Sequence, residues 1–477
     1  MIDTMRQYTN YRPSGKDWLG KVPGHWRSTS LGAISTRKST RNRPDLPLLS
    51  VLREKGVVLR SSLSQDENHN FIPNDLSNYQ VANEGDLVVN KMKAWQGSVG
   101  IAPQDGIVSP AYYVFELADI KKKYAHRLLR SRLYADFFGR ASDGVRIGQW
   151  DLRIPAMKRI PVLIPPPDEQ DSIARYLDEM DRRIARFIRN RRRLIEVLNE
   201  QKQAIINRAV TRGLDPNAPL KPSGIDWLGN IPGHWKVVPF MRLFAEVYRY
   251  PTYYNIQYVK SGVPEVRGEA LVHGNIAILP DQRYIAQETN SRFSRTILKK
   301  GDLVMSVRGT MGKIGVVGES HVGANITANL LRLSPRQEVA RSHYLSWLMR
   351  SPGFLSELDR VSPQTTIKTV TMPHLAGLRL CVPPLPEQNA IVDDVEKSTE
   401  SVNTAISRAQ REIDLVREYR TRLISDVVTG KVDVRHLAPP PGGEDLEEMV
   451  EALEPLDDEP GELDEEFMNG EISHADD

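Results

Sequence analysis

Three places in this 477-residue chain set reactive side-chain types at spacings that chemistry could use. The first is GTMGKI, Gly309 to Ile314. Glycines ahead of a lysine are the ingredients of a loop whose backbone N–H groups and ammonium cradle phosphates. Val307 replaces the upstream glycine that such a loop needs, and Ile314 stands where a Ser or Thr would reach magnesium, so no nucleotide site is supported. The second is the pair His25 and His234, each in a Pro-Gly-His-Trp run. Histidine is the commonest general base, but neither has a nucleophile or acid motif beside it, and both are read as structural. The third is the set of double prolines at Pro165, Pro383 and Pro439. An amine methyltransferase would need Asn/Asp-Pro-Pro-Tyr/Phe and a cofactor loop, and that context is missing. Cys381 is the single cysteine, which excludes an internal disulfide and a cysteine-clustered zinc site. No metal-ligand cluster or nuclease carboxylate set stands out.

Binding chemistry remains. The net charge of +3 conceals a split: Glu444–Asp477 holds sixteen Asp or Glu and no Lys or Arg. The rest then carries 64 basic against 61 − 16 = 45 acidic residues, a net of +19. A body that basic expects a polyanion, most often nucleic acid. Lys and Arg would meet phosphates, while Arg suits guanine and Gln suits adenine edges. In the first half the candidates are Arg37, Lys38, Arg41 and Arg43 in STRKSTRNR, Lys91, Lys93 and Gln96 in NKMKAWQG, and Arg146 and Gln149 in GVRIGQW. Their positional counterparts are Arg249 and Tyr250, Arg308 and Lys313, and Gln364 with Lys368. Trp95 and Tyr250 are read as packed rather than stacked on a base. With no ~20-residue apolar run and no signal-peptide core, a cytoplasmic location is expected.

The elements that position these residues come in duplicate. SGKDWLGKVPGHW (Ser14–Trp26) returns as SGIDWLGNIPGHW (Ser223–Trp235); over Arg12–Trp26 and Lys221–Trp235 eleven of fifteen positions are identical. GDLVVN at Gly85 returns as GDLVMS at Gly301, and IPVLIPPPDEQ as LRLCVPPLPEQ. Repetition at a fixed period is the first thing to settle, because it dictates architecture. Each unit of about 210 residues reads as a globular part with short β-runs, a proline-bounded strand and a helix of about 45 residues. The fold class expected is α+β: a mixed α/β domain plus a long helix, in tandem. The divisions are 1–167, helix 168–215, 216–385, helix 386–435, and an acidic tail 436–477 expected to be disordered. In the first helix Ile173, Leu177, Met180, Ile184, Phe187, Leu194, Leu198 and Ile205 step by fours and threes, with Arg191 and Gln201 interrupting. Ile391, Val395, Val402, Ala405, Ala409, Val416, Tyr419 and Leu423 do so in the second, interrupted by Ser398 and Glu412. Such spacing predicts a coiled-coil seam, and chain connectivity makes the pair antiparallel. The expected molecule is a dumbbell with a pseudo-twofold axis and diverged globules.

This constellation resembles the specificity subunit of type I restriction–modification enzymes over about residues 12–435. The resemblance implies two target-recognition domains reading the halves of a split, asymmetric double-stranded DNA site. It further implies spacer helices that dock adenine-methylating modification subunits, with restriction motor–nuclease subunits joining. S-adenosylmethionine, ATP and magnesium are then expected on those partners, none on this chain. The acidic tail is not part of the resemblance. The competing reading is a coiled-coil adaptor holding two protein-binding modules; a stand-alone DNA enzyme is disfavoured by the missing motifs.

Overall fold

The computed structural model describes residues 6–16, 18–53, 55–63, 72–146, 149–249, 256–362 and 368–440. Two compact units result: one is discontinuous, comprising Met1–Arg192 with Gln410–Asp477, and the other is the intervening stretch Arg193–Ala409.

The first unit is organised on a four-stranded sheet of β1 (Ser35–Lys38), β2 (Leu87–Asn90), β3 (Val99–Ile101) and β4 (Tyr112–Leu117), in the order β1-β4-β2-β3. All of its pairings are antiparallel. The run Leu87-Val88-Val89 is fully buried, as a central strand covered on both faces requires. Leu87 and Val89 face one core with helices Lys122–Leu129 and Arg132–Arg140, while Val88 faces a second with Leu49, Val57 and Val108. That alternation is the period of two of a strand. A hairpin, β5 (Ser142–Arg146) and β6 (Gln149–Leu152), follows. Then β7 (Pro161–Ile164), paired with Arg27–Ser30, leads into the long helix α1, Pro167–Arg212.

The second unit repeats the plan. Its sheet contains β8 (Phe244–Arg249), β9 (Leu303–Ser306), β10 (Ile314–Val316) and β11 (Leu330–Pro335), in the order β8-β11-β9-β10, extended by two further short strands. A strand β12 (Arg379–Val382), paired with Lys236–Pro239, leads into α2, Leu385–Val428. An extra four-stranded assembly of Tyr258–Val259, Tyr284–Ile285, Val263–Val266 and Asn325–Ile326 is peculiar to this unit among the described residues.

Both helices open on a proline or its neighbour with a carboxylate in the first turn, where the missing N–H and the helix dipole favour them. They pack antiparallel. Within the first unit Asp181 of α1 takes Arg420 of α2 at 2.7 Å, and Arg191 meets Glu412 at 2.8 Å. Within the second, Lys202 Nζ donates to Asn403 Oδ1 at 2.6 Å. The apolar seam departs from the spacing expected of it. Leu194 is 38% exposed, whereas Ile188 and Ile206 are buried and Ile205 is only half-buried. In α2, Thr399 and Ile413 are buried next to the supposed interruptions Ser398 and Glu412. An α-helix turns every 3.6 residues, so a strict seven-residue count drifts off the contact line unless the helices supercoil to follow it. No helix among the described residues is long and apolar enough to cross a membrane.

Candidate nucleic-acid interface

The repeated motifs turn out to be the parts of one joint, made twice. Glu169, in the first turn of α1, is buried and accepts from Tyr8 Oη at 2.5 Å and Trp26 Nε1 at 3.0 Å; its other oxygen lies 2.8 Å from His25 Nε2. Glu387, in the first turn of α2, takes Trp235 Nε1 at 3.0 Å and meets His234 Nε2 at 2.7 Å. The neighbouring glutamines are equally matched. Gln170 donates to Pro165 O and accepts from Lys121 N. Gln388 donates to Pro383 O and accepts from Arg341 N. Each histidine thus contacts a carboxylate that also accepts from a tryptophan indole, as part of the joint's hydrogen-bond network.

Each joint also receives the end of the other helix. Gly213, just past α1, and Gly430, just past α2, both have φ of +75°. A Cβ at Gly213 would sit 3.2 Å from Trp235, and one at Gly430 would sit 3.1 Å from Trp26 and 2.4 Å from Pro23. Only glycine tolerates both the left-handed backbone and that approach. Tyr344 Oη donates to Cys381 O and Val210 O, and Tyr124 Oη to Leu163 O and Val428 O, so a buried phenol ties each proline-bounded strand to the arriving helix end. Burial pushes both phenols well above their usual value, which keeps them neutral donors. Burial likewise pushes the Cys381 thiol up to about 12. The two glutamines close the repeated Pro-Pro…Glu-Gln runs, and the two tyrosines, at corresponding places in the two halves, carry a sequence signal only through the repeat.

The buried aspartates of the two Gly-Asp-Leu-Val runs each hold a cation, buried in the second unit and half-buried in the first. Asp302 takes Arg332 Nε at 2.6 Å, with Glu246 on the same guanidinium at 2.9 Å. Asp86 takes Lys38 Nζ at 2.6 Å, shared with Asn83. Lys38, half-buried, is therefore occupied by these acceptors and does not present a bare ammonium.

The other described candidates on or after these strands lie toward one end of the strands in each sheet. β1 and β2 both run antiparallel to β4, with Lys38 and Val88 opposite Val114, so 39–43 and 91–96 leave by the same end. Arg37 is exposed and lies 5.1 Å over the Tyr113 ring; Arg41 is exposed beside a bridge to Gln80. Arg43 is held by Asp45 at 2.7 Å. The β5–β6 hairpin reaches the loop after β2, where Leu152 N donates to Lys91 O and Asp151 lies 3.4 Å from Lys91 Nζ. Trp95 is half-buried against Trp150, ring centroids 5.2 Å apart. Lys93 is exposed and Gln96 half-buried on this loop. Arg146 and Gln149 lie on the hairpin strands, and their side chains fall outside the described residues.

The second unit does the same with other residues. Arg249 ends β8 opposite Leu331, and Met305 pairs with that same residue, so Arg249 and the loop after β9 share an end. Arg249 Nε donates to Ala328 O. The loop after β9 carries exposed Arg308 and half-buried Lys313, and the strand-like stretch Lys368–Val370 closes on it through Val370 N to Val307 O and Gly309 N to Lys368 O. Lys368 Nζ is paired with Asp359. Tyr250 and Gln364 lie outside the described residues. Among the described residues no group of His, Cys, Asp and Glu could hold a metal ion.

A family model described as "Type I restriction modification DNA specificity domain" matches residues 30–197. The chain is 22% identical over 364 residues to the type I restriction enzyme MjaVIII specificity subunit of Methanocaldococcus jannaschii, covering 75% of this chain and 81% of that protein. It is 25% identical over 260 residues to the EcoBI specificity subunit of Escherichia coli, covering 51% and 54% respectively. Among solved structures, a chain from work on complex assembly and conformational transition of the type I R-M system superposes with a TM-score of 0.60 at 16% identity, covering 85% of this chain and 98% of that one.

Proposed function

We propose, from the premise that this chain belongs with the type I restriction–modification specificity subunits, that it is the subunit that reads DNA sequence. It takes an asymmetric bipartite double-stranded site, one half per unit. The observation that carries this reading is the duplicated sheet: both units send basic, hydrogen-bonding loops off the same end of the strands, yet the loops have unrelated sequences. A common frame with diverged loops is what two different half-sites require, since phosphate contacts orient and base-edge contacts discriminate. Arg37, Arg41, Lys93 and Gln96 in one unit, and Arg308 and Lys313 in the other, are the described residues best placed to meet DNA. Lys38 is assigned to the frame.

The chain itself performs no catalysis. Modification subunits that grip the two long helices supply adenine methylation with S-adenosylmethionine, and restriction subunits supply ATP- and magnesium-dependent cleavage in the cytoplasm. Selection from random duplexes, by the full chain together with its modification subunits, tests the reading. An enriched motif in two separated blocks is the expected result. Retained complex formation without any enriched motif would instead favour an adaptor that joins two proteins through its units.

A further inference from the structure

Past its first four turns, α1 becomes a cationic rod. Between Arg182 and Arg192 it carries six arginines and no acidic residue, while the facing stretch of α2, Gln410–Arg420, holds three acidic and three basic residues, so the two stretches together are net positive. Local acids engage part of this charge: Glu179 meets Arg183 at 2.6 Å and Arg182 at 3.2 Å, and Glu412 meets Arg191. Arg183 is nevertheless 63% exposed, and surface pairs of this kind are weak and exchangeable. Steps of four and three place Arg175, Glu179, Arg182, Arg186 and Arg189 along one stripe, flanked by Arg183.

The chain's own C-terminal part is seated at the head of that stripe. Leu437 and Ala438 pack against the core of the first unit, and Arg175 Nε donates to Pro439 O at 2.9 Å. From Arg175 to Arg189 the helix rises roughly 14 × 1.5 ≈ 21 Å, which about seven extended residues span. Beyond Pro440 come 37 residues, sixteen of them acidic and none basic.

We propose that the acidic segment Glu444–Asp477 docks on the arginine stripe of α1. Charge complementarity selects the partner, and the Pro439 anchor makes the encounter intramolecular. A short tether gives an effective concentration of about millimolar, so individually weak ion pairs suffice. The docked segment acts as a resident polyanion: it covers a surface that would otherwise hold DNA of any sequence by its phosphates, and leaves discrimination to the loops at the strand ends. The proposal is independent of which sequence, if any, the two units read.

The test uses the full chain with dyes on Asn190→Cys and Glu451→Cys; Cys381 is fully buried and stays unlabelled. Energy transfer should be high at about 50 mM salt and drop several-fold by about 500 mM. In R183Q/R186Q/R189Q it should be low even at low salt. A second variant leaves α1 intact and neutralises Glu444, Asp445, Glu447, Glu448 and Glu454 as amides; it should lose transfer equally. Transfer that ignores salt, or that is the same in the parent and both variants, overturns the proposal. So does an arginine variant that weakens duplex binding but keeps its transfer, because the stripe would then serve DNA directly.

Discussion

Glu169 and Glu387 hold the same place in the two joints, but their surroundings differ, and that difference is measurable. Glu169 has three partners and a side chain only 4% exposed, whereas Glu387 has two and is 26% exposed. Removing a buried carboxylate strands the indole and phenol donors that it satisfied, each at about 1–3 kcal/mol. Glu169→Ala should therefore cost the first unit about 3 kcal/mol or more, and Glu387→Ala about half as much in the second, read by urea denaturation with hydrogen exchange to separate the units. Equal losses would show that Tyr8 contributes nothing. His126 offers a test by pH. Burial and the neighbouring Arg130 and Arg127 hold its imidazole well below its usual value, with only Asp181 opposing, and Arg130 Nη1 lies 3.0 Å from its Nε2. The unfolded chain binds this proton first, so the contribution is complete above about pH 6.5 and declines as pH falls below that. The urea midpoint of the first unit should drop between about pH 7.5 and 5.5, and His126→Gln should flatten that slope. An unchanged slope in the variant would assign the acid loss elsewhere.

The long helices show how a correct periodicity can still name the wrong residues. Ile188 is 1% exposed and Leu194 38%, although simple heptad counting favours Leu194. Truncating Ile188 to Ala should cost about 2–4 kcal/mol, because a buried side chain leaves a cavity behind. Leu194→Ala should change stability by less than about 0.5 kcal/mol. Thermal melts of the two variants decide the matter, and a larger loss at Leu194 would restore the strict heptad seam. Asp181 reinforces the same pairing: burial raises its carboxyl, yet Arg127 and Arg420 outweigh that and hold it below the ordinary carboxylate value. The middle of the helix pair also carries polar contacts, Arg191 with Glu412 and Lys202 with Asn403; being partly exposed, they add little stability.

For the whole molecule, the two units share both helices: each helix begins in one unit and ends in the other. If the helices space the half-sites, inserting one heptad after Leu194 and one after Glu412 adds roughly 7 × 1.5 ≈ 10 Å, about three base pairs. Three base pairs also turn the second half-site by roughly a quarter turn or more, so methylation by the assembled complex should fall. Residual methylation should move to sites with a longer gap and unchanged half-site letters, which methylome sequencing reads directly. Changed letters with the old gap would mean that the helices, not the loops at the strand ends, read sequence.

From the sequence alone, the duplication, the two long helices and their antiparallel sense were accessible, because repeats, helical periodicity and connectivity are local or one-dimensional properties. The basic loops after the Gly-Asp-Leu-Val strands were legible for the same reason. Tertiary structure decided what each charge is for. Lys38 looks like any other basic residue of its run until β1 is laid near Asp86, and His25 and Glu169 are 144 positions apart until the helix start meets the tryptophan turn. Only the packed chain shows that the last turn of each helix, Val210 or Val428, completes the joint at which the other helix begins. Such contacts depend on distance in space, and a linear pattern carries no information about distance between positions that do not repeat.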